Sequence, residues 1–289
     1  MRMKSFIVLL FSCLGVFVLG IGCTSSDPIN NPILTIDDEK AIGDKLAKVA
    51  RQMPDDFVLL NEAQYKSVYN YIGNVLGSLV RTSQVKSTST FDWEVFIIRD
   101  DNVRSAFTAP GGKVFIYTGL LKFLTTESEL TGVLAHEIYY SDRSRKYSET
   151  ELSPSATVLK NALVGDGNGT QFLLDILDGY NDDRAEMMIS TLRSIQYNDD
   201  VVFLADQFAM QVVCPFAWDS QGLPNVLKTI RNKNIVDFDW LQTHPPLYPE
   251  MGNAFAARIN KLESLATPCD GYIVEQGRYT NEVLHRLPL

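Results

Sequence analysis

The segment from Pro110 to Ser141 constrains the fold more than any other part of the chain. Pro110-Gly111-Gly112 is a turn signal, because proline presets φ and glycine adopts backbone geometry closed to other residues. The run Lys113–Tyr117 then reads as a strand, and Leu120–Leu124 as a short helix. Thr126 to about Ser141 reads as a longer helix. Thr126-Glu127-Ser128-Glu129 has the form of a capping box, with a hydroxyl and a carboxylate placed to satisfy free amides at the helix start. Leu130, Val133, Leu134 and Ile138 supply its apolar positions.

Most of the other periodic segments are also helical. Thr35–Met53 opens with Thr35 and Asp38 and repeats Ile42, Leu46, Val49 and Met53 at helical spacing. Glu62–Thr82 places Tyr65, Val68, Tyr69, Ile72, Val75, Leu76 and Leu79 on one face, which reads as core-facing. Phe91–Ile98 is expected to be a strand, with Phe91, Trp93, Val95 and Ile97 alternating. Glu149–Tyr180 reads as irregular, with a loop at Gly165–Gly169; two helices are expected around Asp183–Gln196 and Asp199–Val213. Asn168-Gly169-Thr170 fits a glycosylation sequon but reads as a turn. Gly111-Gly112-Lys113 lacks the spacing of a phosphate loop, and no Gly-x-Ser-x-Gly elbow occurs. The balance is an α+β fold, mainly helical with a small sheet.

On the capped helix sits His136-Glu137-Ile138-Tyr139-Tyr140. A zinc peptidase helix carries His-Glu-x-x-His, whose two histidines share one face and grip the metal while the Glu takes a proton from bound water. The first His and the Glu are present, and Tyr140 stands at the second ligand position. The flanking residues are more telling. Ser105-Ala106-Phe107-Thr108-Ala109-Pro110-Gly111-Gly112 precedes Glu129-Leu130-Thr131-Gly132-Val133-Leu134-Ala135-His136-Glu137-Ile138. This resembles the Ste24/HtpX-type zinc metallopeptidases, metallopeptidase family forty-eight. There an Asn-Ala-Phe-Ala-x-Pro-Gly-Gly strand–turn–strand leads into a Glu-Leu-x-x-Val-Leu-Ala-His-Glu-Ile helix. Ala205-Asp206 resembles the family's Glu-x-x-Ala-Asp element, and His244-Pro245-Pro246 its later His-Pro loop. The resemblance covers roughly 91–259 and implies a zincin-like domain over 35–289, with Lys113–Tyr117 as an edge strand beside the active cleft.

The resemblance implies three zinc ligands, of which only His136 matches. Tyr140 replaces the second histidine, and Val202 stands where the family has its ligand Glu, four residues before Asp206. Ser144-Arg145 stand where the family often has Arg-His. Even residues that merely support a ligand change metal affinity or activity by about 10–100-fold, so losing two ligands should cost more. Valine has no donor, and tyrosine ligates only as phenolate, whose free pKa is about 10. A substitute site could combine His136, His244 and a carboxylate, with Glu137 as general base and zinc as cofactor. The plainer expectation is that Asp199 and Asp200 start a helix, Asp206 supports a neighbour or the fold, His244 is a loop residue and His285 lies on the surface.

The N-terminus reads as an address. Arg2 and Lys4 precede an apolar run from Phe6 to Gly22, and small residues surround Cys23. That is the pattern of a secretory signal peptide over 1–22, with 23–34 as a tether. The stretch resembles a bacterial lipobox with Cys23 as the lipidated residue, although Gly20 departs from that pattern. Localisation in the bacterial envelope follows, anchored by lipid on the periplasmic side, with secretion or a single N-terminal membrane anchor as alternatives. Removing 1–22 shifts the net charge from −9 to −11, which offers no basic footprint for nucleic acid. Cys214 and Cys269 would remain as thiols in an oxidising compartment, either paired or separately buried.

Three functions are consistent with these residues. The first is a pseudopeptidase that binds a peptide or protein partner, since main-chain pairing on a strand edge needs no metal. The second is an active zinc endopeptidase with a rebuilt ligand set. The third is a structural lipoprotein that keeps the fold as a scaffold.

Overall fold

The computed structural model describes residues 34–288 apart from 54–56, 143–152, 165–172, 176, 178–181, 217, 246–250 and 267–275. The expected signal peptide, Cys23, nearly all of the tether, Ser144-Arg145, the Gly165–Gly169 loop with its sequon, and Cys269 lie outside the described residues.

Helix α1 (Ile36–Ala50) begins at Thr35, whose hydroxyl accepts from the Asp38 amide while Asp38 accepts from the Thr35 amide. Helix α2 (Lys66–Val80) starts later than its apolar pattern suggests. Strands β1 (Glu94–Ile98), β2 (Ala106–Ala109) and β3 (Lys113–Tyr117) follow, then α3 (Thr118–Phe123) and α4 (Glu127–Ser141). Helix α5 (Pro154–Val164) falls in the region expected to be irregular. The chain continues with α6 (Asp182–Ser194), α7 (Asp199–Val212), α8 (Gly222–Asn232), α9 (Asp239–Thr243) and α10 (Met251–Leu265). Helix α11 (Gln276–Tyr279) leads into a π-helical turn, Thr280–Leu284. The N-cap of α7 is Asn198, whose side chain accepts from the Val201 amide; Asp199 and Asp200 occupy the first turn instead. Among the described residues no helix is long and apolar enough to cross a membrane.

The strand order is β1-β3-β2, with β1 parallel and β2 antiparallel to β3. Lys113–Tyr117 is therefore the central strand, and the expectation that it forms an edge is wrong. The reason is covalent. Pro110-Gly111-Gly112 folds β3 back on β2, using φ of 75° and 81° at the two glycines, and β1 then pairs with the remaining side of β3. The sheet also lacks the one-sided alternation expected of its first strand, because helices cover both faces. Val95, Ile97, Val114 and Ile116 face a core built with α2, α4, α7 and α8. Phe96, Ile98, Phe107 and Phe115 face a second core built with α1, α5 and α6. Across that second face, Phe96, Phe115 and Phe107 stack with ring centroids 4.7 Å apart.

Helix α4 is buried at every position from Glu127 to Ser141, so it shows no solvent face. Gly132 allows α8 to approach, since a Cβ there would lie 2.6 Å from the Leu223 amide nitrogen. At its C-terminal end Ser141 Oγ accepts from the Gly112 amide at 2.7 Å, tying the helix to the β2–β3 turn. At its start the Thr126 hydroxyl accepts from the Glu129 amide as expected. The Glu129 carboxylate, however, takes the amide and hydroxyl of Thr125, one residue earlier than a capping box requires.

Candidate functional site

Four helices bring the marked residues together. His136, Glu137 and Tyr140 come from α4, and Val202 and Asp206 from successive turns of α7. Trp240 lies on α9 with His244 at its C-cap, and Arg258 lies on α10. His136, Glu137, Tyr140, Val202, Asp206, Trp240 and His244 are fully buried.

Asp206 is the electrostatic anchor. Arg258 donates to it twice, Nε to Oδ2 at 2.7 Å and Nη2 to Oδ1 at 2.8 Å, in a forked pair. Burial alone would raise the Asp206 pKa, but the Arg258 guanidinium and the contact from His136 outweigh it and hold the group at about 2. His136 Nδ1 lies 3.0 Å from Asp206 Oδ1, a close contact poorly aligned as a hydrogen bond. Burial holds the His136 pKa below its usual value. A neutral ring with its proton on Nδ1, facing the carboxylate, leaves the Nε2 lone pair directed at Tyr140. The Tyr140 hydroxyl lies 3.0 Å from that nitrogen and donates to it.

The phenol is held in place by aromatic packing. The Tyr140 ring lies 4.1 Å from Tyr197 and 5.0 Å from His244, and Trp240 stands edge-on to His136 at 5.0 Å. Burial, then the Glu137 charge, pushes the Tyr140 pKa well above its normal value, so the hydroxyl remains protonated.

Glu137 is pinned at both oxygens, by Trp240 Nε1 at 2.8 Å and Thr108 Oγ1 at 2.8 Å. Burial raises its pKa to about 7. His244 sits at a helix end rather than in the expected open loop. Its Nδ1 lies 3.0 Å from the Trp240 carbonyl, leaving Nε2 bare and 3.5 Å from Glu137 Oε1. Burial, and then His136, lowers its pKa well below the usual histidine value.

A catalytic zinc needs three protein donors and an open position. Here His136 Nε2 already accepts a phenol proton, Tyr140 is neutral, and Val202 belongs to the apolar core. Among the described residues no group of three His, Cys, Asp or Glu side chains is arranged to hold a metal. The donors present do not fit zinc.

The sequence model of Peptidase family M48 matches residues 67–251, well over half of the chain. The chain belongs to Peptidase family M48. Its α+β, zincin-like fold, mostly helical with a three-stranded sheet, is that of the family domain. Among relatives, a Vibrio cholerae protein named as a candidate beta-barrel assembly-enhancing protease is 29% identical over 239 residues, covering 77% of this chain and 44% of its own length. The beta-barrel assembly-enhancing protease of Escherichia coli is 26% identical over 207 residues, 68% of this chain and 38% of its own. The mitochondrial metalloendopeptidase OMA1 of Schizosaccharomyces pombe is 40% identical over 67 residues, 23% of this chain and 19% of its own. The chain thus spans less than half the length of these M48 relatives.

Sequence reasoning singled out His136, Glu137, Tyr140, Val202, Asp206 and His244, and the fold brings all six into one buried neighbourhood. It missed Thr108, Tyr197, Trp240 and Arg258. Thr108 carried a signal, because it replaces the second alanine of the M48 strand pattern and its hydroxyl is what holds Glu137. Arg258 had none, lying 52 residues from Asp206 in an otherwise ordinary helix. Cys214 is disulfide-bonded; its expected partner Cys269 lies outside the described residues. His285 is exposed, as expected.

Proposed function

We propose that this M48 member has lost zinc proteolysis and acts in the bacterial envelope by holding a peptide or protein partner. The observation that carries the reading is the Tyr140 hydroxyl donating to His136 Nε2, the nitrogen a metal would need. The Trp240 and Thr108 bonds to Glu137 support it, because they occupy the carboxylate that would otherwise act on water. The relatives named for beta-barrel assembly favour an envelope protein as partner. The disulfide at Cys214 favours an oxidising compartment, in line with export and lipid attachment at Cys23. Pairing of a partner strand with Lys113–Tyr117 is not part of this reading, because β3 is central in the sheet and has β1 and β2 on its two sides.

One observation favours a second reading, an active zinc endopeptidase that recruits His244. Its buried Nε2 is bare and faces Glu137. Metal analysis of the purified full chain at neutral pH separates the two. The first reading expects zinc well below one equivalent and no peptide cleavage. Stoichiometric zinc, with cleavage abolished by Glu137→Gln, would overturn it. For the anchor, Cys23→Ser is expected to release the protein from membranes; continued attachment would refute lipidation at that residue.

A further inference from the structure

On the other side of α9 from Trp240 is a cavity of about 300 Å³. Its walls come from the end of β3 (Tyr117), the last turns of α6 (Ser190, Arg193) and α9 (Asp239, Gln242, Thr243). None of the residues marked in the sequence as catalytic or metal-binding lies in it.

Arg193 is the feature that asks for a ligand. Its Nε donates to the Tyr117 hydroxyl at 2.8 Å, and its guanidinium lies over the Phe57 ring at 5.3 Å. The plane of the fork is therefore set by two neighbours. Among the described residues no carboxylate lies within ion-pair distance of Arg193, although thirteen other pairs among those residues join Lys or Arg to Asp or Glu. Tyr117, having accepted from Arg193, keeps its own hydroxyl proton to give. Ser190 stands one turn before Arg193 on the same helix face and adds a second hydroxyl.

The opposite wall has the opposite character. Asp239, which lines the cavity, accepts from the Arg104 amide through Oδ2 at 2.7 Å, and that bond fixes the carboxylate through one of its two oxygens. A doubly charged anion such as phosphate would meet this carboxylate as a like charge. A singly charged carboxylate flanked by an N–H matches both walls. The volume is at the low end of the range for ligand pockets, about 300–1,000 Å³, which suits a chain terminus rather than an extended segment.

We propose that this cavity receives the C-terminal carboxylate of a peptide, with Arg193 as the forked anchor and Asp239 taking an amide N–H. The inference rests on the peptide-binding reading above and gives it a location. The terminal carboxylate lies against Arg193, Tyr117 and Ser190.

The test uses the ¹⁵N-labelled full chain titrated with N-acetyl-dialanine, its C-terminal amide, and acetate. The acid is expected to shift the Arg193 side-chain signal and the backbone signals of 190–194 and 239–243 in a saturable way. The amide and acetate should each bind about tenfold more weakly or worse, as loss of one charge-assisted contact or of the backbone contacts predicts. R193Q should weaken the acid about tenfold and leave the amide unchanged. R193K, which keeps the charge without the fork, should fall between and serves as the control if R193Q lowers the melting temperature. Equal binding of acid and amide overturns the carboxylate assignment while leaving peptide binding intact. Equal binding of acetate and acid overturns the peptide terminus in favour of a simple anion. Absence of any shift in these segments, with a protein partner still recovered equally by wild type and R193Q, overturns the site alone. Failure of the full chain to recover any envelope protein overturns the broader reading instead.

Discussion

The two sides of α9 make opposite uses of polar residues. Toward α4, Trp240 and His244 close over Glu137 and His136, and the polar atoms there face one another within a buried aromatic shell. Away from α4, Asp239, Gln242 and Thr243 border a half-open cavity whose Arg193 has no carboxylate partner among the described residues. The buried side retains the imidazole and its supporting carboxylate, yet its reactive nitrogen is already satisfied. The open side has none of the family's zinc-site residues, and no carboxylate lies within ion-pair distance of its Arg193 among the described residues. Family motifs therefore locate the buried site, and unspent hydrogen-bonding capacity locates a separate place where a ligand could be held.

The largest effect should come from rebuilding the buried side. The double variant Tyr140→His, Val202→Glu adds two donors beside His136, making three. It should raise zinc affinity by well over the roughly 100-fold that a supporting residue alone commands. Metal analysis reads this directly, and an unchanged zinc content would show that more than these two positions closed the site.

Arg258→Met tests the anchor. It strands the Asp206 carboxylate in the core and should cost about 3–5 kcal/mol in denaturant unfolding. A loss under about 1 kcal/mol would mean that the pair is not what organises the site.

Glu137→Gln sharpens the contrast by pH. The folded pKa of Glu137, about 7, lies above its ordinary 4.5. Its contribution to stability is thus fully present below about 4.5 and is lost as pH rises through 7. The variant, which cannot ionise, should match wild type at low pH and exceed it by about 3 kcal/mol above pH 7. Asp206, held at about 2, stays charged across this window and does not obscure the comparison. A pH-independent difference would place Glu137 in a more hydrated setting than the structure shows.

Arg193→Gln should have the smallest effect on stability, under about 1 kcal/mol, since the side chain is half-buried and makes one neutral hydrogen bond and one ring contact. A large loss would recast it as a structural residue.

Much of this fold was legible in advance. The Thr35 cap, the apolar stripes of α1 and α2, the Pro110-Gly111-Gly112 turn and the helix bearing His136 all depend on residues a few positions apart. The C-terminal helices α8 to α11 were not read. Their patterns are short or interrupted, and α9 is a single turn held by contacts from Arg104, two residues before β2. The candidate site was half legible. The motif named His136, Glu137 and Asp206 and exposed the replacements at Tyr140 and Val202, but spacing along a chain does not say what a replacement touches.

Local order, then, established the succession of turn, strand and capped helix, and with it the family, because φ preferences, capping and periodicity act within a few residues. Only the tertiary structure decided that β3 would lie inside the sheet, that a tyrosine proton would satisfy His136, and that Arg258 would neutralise Asp206 from 52 residues away. Those outcomes depend on which surfaces exclude water together, and burial of that kind is a property of the packed whole.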